Sequence, residues 1–213
     1  MKTILILVVL VFSFSLVEAQ RNDNIGVFAG TSYYYGDINT NKIFYSPGFA
    51  VGGIFRYNLN KRYAFRLSGY FTRLSGDPDD FSDLINDITA ARAFNKYIFD
   101  AALQVEFNFL PYVPTVKRWD YTTYISAGVG YASISNIPVT IPFGVGFKLN
   151  VTNTICTGFE WSFRKTFNDL IDGAENPTNI DSPIHNDDWY SFLGIFVTYK
   201  FFNFMVDCPA YDD

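Results

Sequence analysis

Phe94–Phe109 reads FNKYIFDAALQVEFNF and alternates with a period of two. Tyr97, Phe99, Ala101, Leu103, Val105, Phe107 and Phe109 share one face, while Asp100, Gln104, Glu106 and Asn108 share the other. This is the pattern of a β-strand with one apolar and one polar side. Strands in soluble domains usually run ~5–6 residues, whereas a tilted strand needs ~9–11 to cross a bilayer. A strand this long, with an aromatic apolar face, raises the question of which face is outside.

The same alternation recurs seven more times. It appears in Ile25–Tyr34, Gly48–Tyr57, Arg62–Arg73, Tyr121–Tyr131, Val139–Leu149, Thr154–Arg164 and Trp189–Phe201. The connections have a rhythm of their own. Short turns fall at 58–61, 110–118 and 150–153, whereas 35–47, 74–93 and 165–188 are long; only 132–138 departs from the scheme. Short turns on one side and long loops on the other mark a transmembrane barrel. A soluble sandwich or lipocalin-like barrel also has about eight alternating strands. Strand length, loop rhythm and aromatic load favour the inverted arrangement, with apolar faces outward. Aromatics also fall near strand ends at Tyr57, Tyr63, Tyr97, Tyr121, Tyr131, Trp161 and Tyr199, as in interfacial belts. The predicted fold is all-β: an eight-stranded antiparallel transmembrane barrel of the small OmpA/OmpX-like type.

Composition agrees with that reading. Charged residues are 17% and aromatics 19% of the chain, against about 25% charged in an average soluble domain. A net charge of −5 and a single histidine argue against a nucleic-acid partner, which calls for a basic footprint. Residues 1–19 (MKTILILVVLVFSFSLVEA) combine Lys2, an apolar run and a Val-Glu-Ala end, the layout of a secretory signal peptide. The expected organisation is a signal peptide at 1–19, an outer-membrane barrel at 20–202 and a C-terminal tail at 203–213, with both termini in the periplasm.

An eight-stranded barrel has room inside only for side chains. The inward face read from the alternation carries Arg56, Arg66, Asp100, Glu106, Lys148, Glu160, Arg164 and Lys200. Charges buried together must be paired or hydrogen-bonded. The expectation is an ion-pair network filling the lumen, with glycines such as Gly144, Gly146 and Gly158 leaving room for it.

Signals for enzymatic chemistry are weak. His185 lies in SPIHNDDW near Ser182 and Asp187, without the context of an activated nucleophile. The acidic stretch Gly76–Ile88, GDPDDFSDLINDI, lacks the alternating ligands and closing glutamate of a calcium loop. Phe81, Leu84, Ile85 and Ile88 have helical spacing there. No cofactor, metal site, catalytic residue or small-molecule substrate is expected. The partners expected from the barrel itself are outer-membrane lipids.

Two stretches carry a family resemblance: GTSYYYGDIN at 30–39, and WYSFLGIFVTYKF at 189–201 with CPAYDD at 208–213. With the signal peptide and eight strands, they resemble the PorG-like outer-membrane barrels of the Bacteroidetes type IX secretion system. The resemblance implies a non-enzymatic anchor or organiser of that apparatus, meeting a periplasmic ring that contains a lipoprotein, with gliding motility in some members. An independent surface-binding or adhesin barrel and a lipid-modifying barrel enzyme are the competing readings.

The tail then becomes a candidate docking element, with Phe204 and Tyr211 as apolar anchors, Pro209 holding it extended and Cys208 exposed to an oxidising compartment. Cys156 is read as facing inward near the periplasmic rim. Three states stay open for the two cysteines: a bridge to each other, a bridge from Cys208 to a partner, or free thiols.

Overall fold

The computed structural model describes residues 22–35, 44–76, 94–113, 118–133, 138–167 and 189–200. Eight strands follow one another in chain order: β1 (Asn22–Tyr35), β2 (Gly48–Asn58), β3 (Tyr63–Gly76), β4 (Phe94–Asn108), β5 (Tyr121–Ala132), β6 (Val139–Asn150), β7 (Ile155–Thr166) and β8 (Trp189–Lys200). Each pairs antiparallel with the next, and β1 closes on β8 to complete the barrel. The closing ladder runs from Asn24 opposite Lys200 to Tyr35 opposite Trp189.

Closure leaves no free edge along the shared height of the wall, where neighbouring strands pair their backbones; the β5–β6 ladder is interrupted at Pro142, which has no N–H to give. The three short connections lie at the end where β1 begins and β8 finishes, hereafter the terminal end. Side chains close two of them. Asn60 Oδ1 accepts from the Arg62 and Tyr63 amides, both at 2.8 Å, and Thr152 Oγ1 accepts from the Ile155 amide at 2.9 Å. Both are side-chain mimics of a backbone turn.

The apolar faces point outward. Leu103, Val105, Phe99 and Tyr97 of β4 are all exposed, while Asp100, Gln104, Glu106 and Asn108 are fully enclosed. Val27 on β1, Leu67 on β3, Val129 on β5 and Ile195 on β8 are more than half exposed. A protein that exposes its aliphatic residues and encloses its charges has its outer wall built for hydrocarbon. Aromatic rings gather towards both ends of that wall. Tyr121 stacks on Phe147 and Tyr63 packs on Phe107 towards the terminal end, and Phe71 stacks on Tyr97 towards the other. Trp161 is the exception to the expected belt. It sits midway along β7, against Phe163 and Phe44.

Several strand limits differ from those read in the sequence. β1 starts three residues early, at Asn22, because its ladder with β2 continues to Asn22 opposite Asn58. The residues there, Asn22-Asp23-Asn24, are all polar, so no alternation announces them. β3 likewise runs on to Gly76, opposite Phe94. The signal peptide at 1–19, the loop residues Ser182, His185 and Asp187, most of the acidic stretch Gly76–Ile88 and the tail residues Phe204, Cys208, Pro209 and Tyr211 lie outside the described residues.

Candidate functional site in the barrel lumen

Alternation puts every second residue of eight strands into one narrow channel, and the structure shows how the charges there are arranged. They form two clusters. Glu106 of β4 anchors the lower one. Its carboxylate takes Arg56 Nε of β2 at 2.8 Å, Lys148 Nζ of β6, and Arg66 Nη1 of β3 at 3.4 Å. Arg66 also binds Glu160 of β7 through both terminal nitrogens, and Tyr124 and Tyr70 hydroxyls join the same group. Asn108 accepts from Lys148 at 3.1 Å.

The upper cluster is smaller. Arg164 of β7 lies 3.3 Å from the Asp100 carboxylate of β4, which also accepts from Tyr190 at 2.6 Å. All these groups are enclosed: Arg66, Asp100, Glu106, Glu160 and Arg164 have no measurable exposure. Taking charges out of water is costly, and only near-complete pairing and hydrogen bonding offset the penalty.

Aromatic rings fill what the charges leave. Arg56 lies over Phe196 at 5.2 Å, Lys148 over Tyr124 at 4.2 Å and Arg164 over Phe192 at 5.2 Å. The cations thus find partners on their faces as well as their edges. The lumen glycines make room for rings more than for charged chains. A Cβ on Gly146 would come within 2.5 Å of the Tyr124 ring, and one on Gly158 within 2.3 Å of Phe196.

The terminal end has a floor. After β4 the chain turns back, and the Tyr112 amide donates to the Lys61 carbonyl at 2.9 Å. That anchors the Tyr112 ring across the opening, where its hydroxyl donates to Asn150 Oδ1 and lies 3.0 Å from Cys156 Sγ. Burial, with the neighbouring thiol adding to it, holds the Tyr112 phenol above the ordinary tyrosine pKa. Cys156 is enclosed behind this ring, on the lumen side of the floor. Sequence reading missed Tyr112, since nothing in the local pattern of Leu110–Val113 says that one ring will fold back under the barrel.

Of the eight inward charges read from the sequence, the structure brings seven into the two clusters. Lys200 stands apart. It faces Asn24 across the β1–β8 seam, and no carboxylate among the described residues lies within ion-pair distance of it. Among the described residues no group of three or more His, Cys, Asp or Glu side chains is arranged to hold a metal ion.

A closed eight-stranded antiparallel barrel, apolar outside and packed with charge and rings inside, defines the class: this is the fold of the small outer-membrane barrels. Among solved structures, the chain is similar to Neisserial surface protein A, at 10% identity over 84% of this chain and 97% of that one, with a TM-score of 0.52. It is also similar to the N-terminal β-barrel domain of Pseudomonas aeruginosa OprF (15% identity, 84% and 99% covered, TM-score 0.44). A third is the Yersinia pestis attachment invasion locus protein Ail (12%, 86% and 100%, TM-score 0.46). No curated protein matches the sequence. The chain belongs to the family described as domain of unknown function DUF6089, whose pattern matches residues 2–210.

Proposed function

We propose that this protein is an outer-membrane barrel acting as a non-enzymatic anchor or organiser of the type IX secretion apparatus, and of the gliding machinery where one is allied to it. Residues 1–19 direct export and are removed, 20–202 form the barrel, and 203–213 emerge at the terminal end into the periplasm to meet a ring lipoprotein. The observation that carries the reading is the filled lumen. With two charge clusters, stacked rings and the Tyr112 floor, the described residues leave no channel for a protein substrate, which favours a structural role in secretion. Asp100, Glu106 and Glu160, the carboxylates of the two clusters, are each engaged by cations or tyrosine hydroxyls, which favours a structural role over a catalytic one. The stretches at 30–39, 189–201 and 208–213 supply the link to secretion through their resemblance to that family.

The test is co-purification from mildly solubilised envelopes. Full-length protein is compared with a version ending at Phe202, under non-reducing conditions, with partners identified by mass spectrometry. A periplasmic lipoprotein complex that accompanies the full-length chain and is lost on truncation supports docking through the tail. If both versions come down alone, the independent surface barrel replaces this reading.

A further inference from the structure

One part of the lumen is not balanced. Lys200 of β8, Asn24 of β1, Arg56 of β2 and Arg66 of β3 are successive partners in one cross-strand row. Three of the four are cations, and all four side chains face inward. The lower cluster answers Arg56, Arg66 and Lys148 with only Glu106 and Glu160, and Lys200 adds a further positive charge beside it.

The surplus falls on Arg56. One edge of its guanidinium is used, Nε against Glu106, and Phe196 covers its face. The remaining edge, with Nη1 and Nη2, has no hydrogen-bond partner among the described residues although Arg56 is only 1% exposed. Its neighbours are in the same position. Among the described residues the Asn24 side-chain amide is unpartnered at both atoms, and so is Thr198 Oγ1, on residues equally enclosed. Thr198 stands opposite Gly26, two residues beyond Asn24 on β1. Gly26 is required there, since a Cβ would press to 2.5 Å from the Thr198 methyl group.

Unpaired donors in an enclosed, positively charged site are costly unless an acceptor meets them. The parallel N–H bonds of a guanidinium edge match a planar oxyanion in two-pronged fashion. We propose that the β8–β1–β2 seam at the terminal end of the lumen is a carboxylate-binding site, with Arg56 as the fork and Asn24 and Thr198 as flanking donors. Lys200 sets the potential at its mouth. The same chemistry has two possible sources. One is a free small carboxylate. The other is this chain's own C-terminal segment: residues 201–213 carry Asp207, Asp212, Asp213 and no basic residue, and they continue from Lys200 beside the site. The site stands whether or not the barrel meets a secretion partner.

The experiment uses purified full-length protein and the version ending at Phe202 in detergent. Sodium formate replaces sodium fluoride at constant ionic strength, and the reading is the temperature at which the compact, fast-migrating form is lost. A ligand that binds only the folded state raises that midpoint. The truncated version is expected to gain at least about 2 °C, and the full-length protein less, because its own carboxylates hold the site. Equal gains in both versions assign the site to free carboxylates instead of the tail. Arg56→Lys, which keeps the charge and loses the fork, is expected to abolish the gain. Asn24→Leu, which leaves every charge in place, is expected to reduce it and serves if Arg56→Lys does not fold. No gain in either version overturns the proposal. So does an undiminished gain in the variant, because formate would then be acting elsewhere.

Discussion

The Arg56 guanidinium on β2 and the Glu106 carboxylate on β4 meet at 2.8 Å across the intervening strand, and the same carboxylate holds Lys148 and Arg66. Glu106 is thus the negative centre of three buried cations. Replacing one partner of a buried ion pair leaves an uncompensated charge and costs roughly 3–5 kcal/mol. Glu106→Gln is expected to destabilise the folded barrel by about that much, whereas Lys148→Met, removing one of three cations around the same carboxylate, costs less. Urea unfolding in detergent, followed by tryptophan fluorescence, measures both. A Glu106→Gln barrel as stable as the parent would show that the lower cluster contributes little.

The outward face makes an independent prediction. Leu103 lies in the central part of β4, paired with Leu67 and Val129 on its two sides, and is 53% exposed. In a soluble barrel an arginine at such a position costs almost nothing. In a bilayer, a charge on the lipid face near the midplane costs ~2–4 kcal/mol. Leu103→Arg is expected to lose that amount when folding into lipid vesicles, with a far smaller loss for Arg at Tyr63, near the terminal end of β3. Equal effects at the two positions would contradict a membrane-spanning wall.

Much of this was legible because the side-chain period of a strand is two. Once Tyr97 to Phe109 are put on one face, Asp100 and Glu106 have to take the other, and the same reasoning sends Arg56, Arg66, Lys148, Glu160 and Arg164 inward. Alternation says nothing, however, about height along the barrel or about what lies across the lumen. Whether Asp100 meets Arg164 or Arg66 depends on the stagger of eight ladders and on closure between β1 and β8. The polar start of β1 escaped for a related reason, since Asn22-Asp23-Asn24 has no apolar partner positions to set a phase. Those residues then turn out to hold Asn24, which closure places between Lys200 and Arg56. Tyr112 belongs to no periodic segment, and only the geometry of the turn after β4 brings it under Cys156.

The glycines separate into two kinds with opposite expected responses. Gly146 faces the lumen, where an added Cβ would come within 2.5 Å of the Tyr124 ring. That ring is held by the hydrogen bond from its hydroxyl to Glu160 and by Lys148 over its face, so it has little freedom to move aside. Overpacking of this sort costs about 1–3 kcal/mol. Gly69 faces outward opposite Gly53, and its Cβ would meet nothing nearer than 3.9 Å. Gly69→Ala is expected to be neutral or mildly stabilising, since it also reduces the freedom of the unfolded chain. Gly146→Ala is expected to lower the midpoint of heat-dependent migration. Reversal of that order would place Gly146 away from Tyr124.

The Tyr112 lid makes Cys156 a reporter of the floor. The thiol is buried and lies 3.0 Å from the Tyr112 hydroxyl, so a maleimide or a second cysteine reaches it only when the lid opens or the barrel unfolds. Tyr112→Ala removes the ring and leaves the backbone bond to Lys61 in place. Labelling of Cys156, followed by mass spectrometry after reduction in the native state, is expected to accelerate at least about tenfold in Tyr112→Ala, the equivalent of ~1.4 kcal/mol in the opening equilibrium. Tyr112→Phe keeps the ring and loses the hydroxyl, so its rate is expected to stay near that of the parent, separating steric cover from the hydrogen bond. The same labelling on unreduced protein reports the state of the thiol. If parent Cys156 resists maleimide until reductant is added, and intact mass shows one chain with two fewer hydrogens, Cys208 is its partner and the lid has to open for that bridge to form. If Cys156 labels equally fast in parent and Tyr112→Ala without reductant, the ring does not cover it, and the floor described here is not closed in solution.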